Sequence, residues 1–241
     1  MAAANLSKKA QNMLDDFVRA LKGSFGEDLV SVILYGSASS GEYSEKHSNI
    51  NAVIILRDAG IRNLRKAQAL VSKNRFSAIN PLFFTEDYIK RSTDVFPIEF
   101  LDMKENHTVL YGKDLLKDID IDTKNLRFQC EQELKSKLIN IKRAYLKSRD
   151  RVFFEKMLFK FFTSSLHILR NIIRLKTGRA VYSKEEIIRD AAREFRINED
   201  IFMRIWDAKR KGSRLGYKAS EELFFLLVED LEKLSGVIDT L

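Results

Sequence analysis

Short β-branched apolar runs alternate with helix-patterned stretches between residues 29 and 103, and no such run recurs after Leu126. This change of period limits the chain to an α/β first half and an all-helical second half. Leu29-Val-Ser-Val-Ile-Leu-Tyr35 and Ala52-Val-Ile-Ile-Leu56 have the composition of buried strands. Ile79-Asn-Pro-Leu-Phe-Phe84 reads as a third strand and Ile98-Glu-Phe-Leu-Asp-Met103 as a fourth. A helix precedes them: Leu6, Ala10, Met13, Leu14, Phe17, Val18 and Leu21 fall at steps of three and four, with Gly23 and Gly26 ending it. Residues 61–72 also carry helical spacing, and Thr85 is placed to cap a short helix through Arg91. The expected first domain is therefore a mixed sheet with helices.

After Gly112 the composition shifts. Residues 113–125 are acidic and irregular and read as a linker, which divides the chain into residues 1–117 and 118–241. Beyond it, Leu126, Cys130, Leu134, Leu138, Ile141 and Tyr145 mark one face of a helix. Segment 152–175 is apolar nearly all round, so it is expected at the centre of a helical bundle. Ser183 followed by Glu186 is a capping-box pattern, and helices over 199–210 and 220–239 complete the bundle.

Composition bounds the function. With 45% hydrophobic and 32% charged residues, the chain reads as soluble and globular. Its single cysteine, Cys130, excludes an internal disulfide or a cysteine-based zinc cluster, and its register with Leu126 and Leu134 makes it a core residue. No apolar stretch near the first residues resembles a secretory signal, and charges interrupt segment 152–175, so a cytoplasmic protein without a membrane span is expected. The net charge of +8 permits an anionic partner. Lys135, Lys137, Lys142, Arg143, Lys147, Arg149 and Arg151 lack interleaved aromatic residues, so they read as a solvated helix face and nucleic acid is not the expected partner.

Chemistry concentrates in Tyr35-Gly-Ser-Ala-Ser-Ser-Gly41 and the strand that follows it. Gly36 and Ser37 turn the chain sharply out of a strand; glycine lets backbone N–H groups approach a phosphate, and a serine hydroxyl adds a donor. Eleven residues lie between Ser37 and Asn49, and the next strand then opens with Asn49 and Asn51 on one face. Glu99, between Ile98 and Phe100, offers a polar group on the predicted fourth strand.

This order and spacing resemble the nucleotidyltransferase superfamily: a Gly-Ser turn, a gap of this size, Asp-x-Asp at a strand start, and a third carboxylate on a later strand. The likeness is closest to bacterial aminoglycoside-adenylyltransferase-like proteins. It extends through Phe96-Pro-Ile-Glu-Phe-Leu-Asp-Met-Lys-Glu-Asn-His107, Val109-Leu-Tyr-Gly112 and Leu126-Arg-Phe-Gln-Cys-Glu-Gln-Glu-Leu134. The resemblance implies transfer of a nucleoside monophosphate from ATP or another triphosphate to a hydroxyl acceptor, assisted by magnesium. By position, Gly36 and Ser37 would cradle the phosphates, residues 49 and 51 would hold the metal, and Glu99 would be the third ligand or the general base.

The chain departs from that pattern where it matters. Positions 49 and 51 are Asn, isosteric with Asp but uncharged, and magnesium is a hard ion that usually binds through carboxylates and phosphate oxygens. Magnesium binding is expected to be weak or absent. Ser40 stands where many relatives carry a basic residue, which fits natural degeneration better than deliberate replacement of two aspartates. Three readings follow: a catalytically impaired protein binding a nucleotide or small hydroxylated substrate between its domains, an active metal-dependent transferase, or a non-catalytic scaffold, which would allow a homodimer.

Overall fold

The computed structural model describes residues 6–40, 49–147 and 151–241, and divides the chain into one unit ending at Ile121 and a second beginning at Asp122. Helix α1 (Lys8–Phe25) runs through Gly23 and stops at Gly26; β1 (Leu29–Tyr35) and the short α2 (Ser37–Ser40) follow. Next come β2 (Ile50–Leu56), α3 (Ile61–Val71), β3 (Ile79–Phe84) and α4 (Glu86–Ser92). Helix α5 (Pro97–Glu105) and β4 (His107–Gly112) complete the elements of this unit.

The sheet order is β3-β2-β1-β4, with β1 antiparallel to both neighbours and β2 parallel to β3. Alternation along the strands divides the core. Val32, Leu34, Ala52 and Ile54 pack with Phe17 and Leu21 of α1 and with Ala67 and Leu70 of α3. Ile33, Val53 and Ile55 pack on the opposite face with Ile89, Phe100 and Met103. Because both faces are covered, β1 and β2 are nearly continuous apolar runs.

Three expectations change. Residues 98–103 are helical, not a strand. Pro97 occupies the start of the helix, where its missing N–H costs nothing, and Phe100 N–H bonds to the Phe96 carbonyl at 3.1 Å. Phe100 and Met103, three apart, then share one core. The fourth strand is β4, an edge strand whose residues are half-buried or exposed and so lack strong apolar alternation. Finally, residues 113–125 are not a free linker: Leu116 and Ile119 are buried in the first unit's core.

The second unit contains α6 (Thr123–Lys147), α7 (Arg151–Thr177), α8 (Lys184–Phe195), α9 (Glu199–Lys211) and α10 (Tyr217–Ile238). Helix α7 touches all four of the others and sits centrally, as its apolar circumference predicts. Thr85 and Ser183 accept bonds from Tyr88 N–H and Glu186 N–H, so both predicted caps form. Cys130 is fully buried, and burial pushes its thiol up to about 12, which removes it as a nucleophile. The basic face is partly paired, Lys135 with Glu131 and Asp239, and Lys142 with Glu232; Arg149 lies outside the described residues. Among the described residues, no helix is long and apolar enough to cross a membrane.

Gly112 closes β4 against β1 at φ +78°, and a Cβ there would lie 2.0 Å from the Val30 carbonyl oxygen. Gly112→Ala is therefore expected to destabilise the first unit by about 2 kcal/mol or more. Urea denaturation checks it, and a loss below about 0.5 kcal/mol would contradict this close approach.

Candidate nucleotide site

One row of side chains crosses the sheet at the end of β1. Tyr35 pairs with Asn51 on one side and His107 on the other, and Asn51 pairs with Asn80. All four share the parity of Ile33, Val53, Leu82 and Val109, so they belong to the α5 face. Asn49 directly precedes β2, is exposed, and stands two residues before Asn51. Burial pushes the Tyr35 phenol above its ordinary value.

Gly36 follows with φ +72°, a conformation that favours glycine. Its N–H donates to the Asn106 carbonyl at 3.0 Å, and a Cβ built on it would lie 3.5 Å from Asn51 Nδ2. The turn carries Ala38 into the α1-side core and sets the Ser39 hydroxyl 2.8 Å from that of Thr108. The side chains of Ser37 and Ser40, and all of residues 41–48, lie outside the described residues.

Gly36 and Asn51 are thus brought together, with Asn49 two residues earlier in the chain, but Glu99 is not in the row. It is exposed in the first turn of α5, whereas Asn106, at the other end, meets Gly36. Seven residues at the helical rise separate Glu99 from that end by about 10 Å along the axis.

The residue that the strand pattern missed is Asn80. Its Nδ2 donates to Asn51 Oδ1 at 3.2 Å. A signal was present, since Asn80 is the one hydrogen-bonding side chain in Ile79-Asn-Pro-Leu-Phe-Phe84.

The β4 end of the row is closed by an ion-pair geometry. His107 Nδ1 lies 2.8 Å from the Lys104 carbonyl, and Nε2 lies 3.0 Å from Asp114 Oδ1. Burial raises the Asp114 carboxyl, but hydrogen bonds from His107 and from the Lys117 and Leu116 N–H groups outweigh it and hold the group below its ordinary value.

The fold has a counterpart among solved structures. The chain matches spectinomycin adenyltransferase AAD(9) from Enterococcus faecialis, solved with ATP and spectinomycin, at a TM-score of 0.58 and 13% identity. The match covers 92% of this chain and 98% of that one. The fold is that of a nucleotidyltransferase. A Methanocaldococcus jannaschii protein named "Putative protein adenylyltransferase" is 33% identical over 63 residues, which span 26% of this chain and 42% of that relative. No protein-family model matches the chain.

The described side chains at this edge are poor ligands for the divalent metal that the sequence resemblance implies. Asn49, Asn51 and Asn80 present amides, and Asn51 Oδ1 is already engaged by Asn80. Among the described residues, no group of three or more His, Cys, Asp or Glu side chains is placed to hold a metal ion.

Asp114 yields a pH prediction. A depressed folded-state pKa contributes stability above the unfolded value and loses it as pH falls through the folded value. Wild type should exceed Asp114→Asn in urea midpoint above about pH 4, and the gap should close on further acidification. A gap that widens toward acid would contradict this.

Proposed function

We propose that this chain is a nucleotidyltransferase-fold protein that binds a nucleoside triphosphate beside the β1–β2 edge and transfers little or no nucleotide. The observation that carries this reading is the replacement of charge by amides at Asn49 and Asn51, on the strand next to the glycine turn. Divalent cations contribute several kcal/mol to transition states of this class. Each ~1.4 kcal/mol forgone is about tenfold in rate. Neutral amides coordinate such ions weakly, so the chain keeps the cradle and loses most of that stabilisation.

Each residue has a part that needs no metal. Gly36 leaves room for a phosphate to approach the backbone, and Ser37 follows it in the turn. Asn49 and Asn51 supply amide N–H donors and orient the bound anion. Glu99 is given no chemical step in this proposal, because it stands in the first turn of α5 and Asn106, which meets Gly36, follows the last. AAD(9), solved with ATP and spectinomycin, supports a nucleotide and a small-molecule acceptor as the ligand classes.

Calorimetry with ATP, in EDTA and then in magnesium, tests the reading. Binding is expected in both conditions, with affinities within about threefold of each other, since the protein side of the site lacks metal-binding charge. Radiolabelled ATP should release no pyrophosphate above background. Magnesium-dependent release would identify a working transferase, and absence of any ATP binding would favour a scaffold.

A further inference from the structure

Asn80 gives the sheet edge a chemistry of its own. In a parallel pair whose opposed residues were both carboxylates, the two anions would need a cation between them, because like charges directly opposite destabilise a sheet. Asn51 and Asn80 occupy such opposed positions, and the Asn80 amide closes the gap with a 3.2 Å hydrogen bond.

We propose that Asn51 and Asn80 form an amide clasp that does the cation's structural work at this edge and makes the site one for an anionic oxygen without metal. Asn80 Nδ2 donates to Asn51 Oδ1, so that oxygen is no longer available to an ion. The Asn51 Nδ2 donors remain, and they lie on the Gly36 side, within 3.5 Å of where a Cβ would stand. An amide that presents N–H groups beside a side-chain-free turn suits a phosphate or carboxylate oxygen and repels a cation. The inference deepens the nucleotide reading by naming a metal-free anionic oxygen as the group bound. The clasp itself does not depend on that reading.

The clasp predicts a distinctive pattern of substitutions. Asn51→Asp alone leaves Asn80 Nδ2 to donate to the new carboxylate. Asn80→Asp alone lets the Asn51 amide turn over, so that its Nδ2 donates to the new carboxylate. Each single variant should melt within about 1 °C of wild type. The double variant N51D/N80D sets two carboxylates face to face, and at low salt in EDTA its Tm should fall by about 2–4 °C more than the sum of the single changes. Manganese should restore that loss in the double variant and leave the wild-type Tm unmoved. If the double variant melts at the sum of the singles, or if manganese stabilises wild type as much as the double variant, the clasp is wrong.

A second measurement holds even if the double variant does not fold. In the NMR spectrum of wild type, the side-chain amide signals of Asn51 and Asn80, assigned by their loss in the single variants, should keep their intensity when manganese is added. Selective broadening of those two signals would overturn the proposal. Neither readout contains a nucleotide, so failure of ATP binding would remove the functional reading and leave the clasp standing.

Discussion

Register in the four-stranded sheet is the constraint on which the site depends. Apolar side chains cover both faces of β1 and β2, so a one-residue slip would exchange the α1-side and α5-side residues and open both cores. That cost fixes Tyr35 opposite Asn51 and Asn51 opposite Asn80. The polar row at the end of β1 is therefore held by hydrophobic packing several residues away, and its own hydrogen bonds only finish the geometry. Gly36 then turns the chain away at a backbone angle that a side chain would strain.

The consequence is electrostatic. Here Asn51 and Asn80 present amides beside the turn, and the Asp114 carboxylate at the β4 end is committed to His107 and two backbone N–H groups. The fold does not rest on this polar row, because its core is apolar. Phe17, Ile33, Ile54 and Phe100 hold the sheet.

Much of this architecture is legible in the residues themselves. The runs 29–35 and 79–84 are strands with those bounds, and segment 152–175 lies centrally among the helices because it is apolar nearly all round. The caps at Thr85 and Ser183 are local, so local sequence suffices to find them. Residues 98–103 misled because six residues with four apolar side chains fit either period, and Pro97 decided the matter from outside them. Edge strand β4 gave little signal because no residue in it is buried. The pairing of Asn80 with Asn51 joins positions 29 apart, and only the sheet's register reveals it. The turn and Asn49 and Asn51 could be read from spacing alone. The neighbour of Asn51 could not.

The central claim is that the amides at this edge do not hold a divalent cation. A crystal grown with manganese and a non-hydrolysable triphosphate, recorded at the manganese absorption edge, tests it most directly. The account predicts no anomalous peak within bonding distance of the side chains at 49, 51 or 80, with the phosphates met by amide and backbone N–H groups. Two fully occupied ions bridging those side chains to the triphosphate would contradict it.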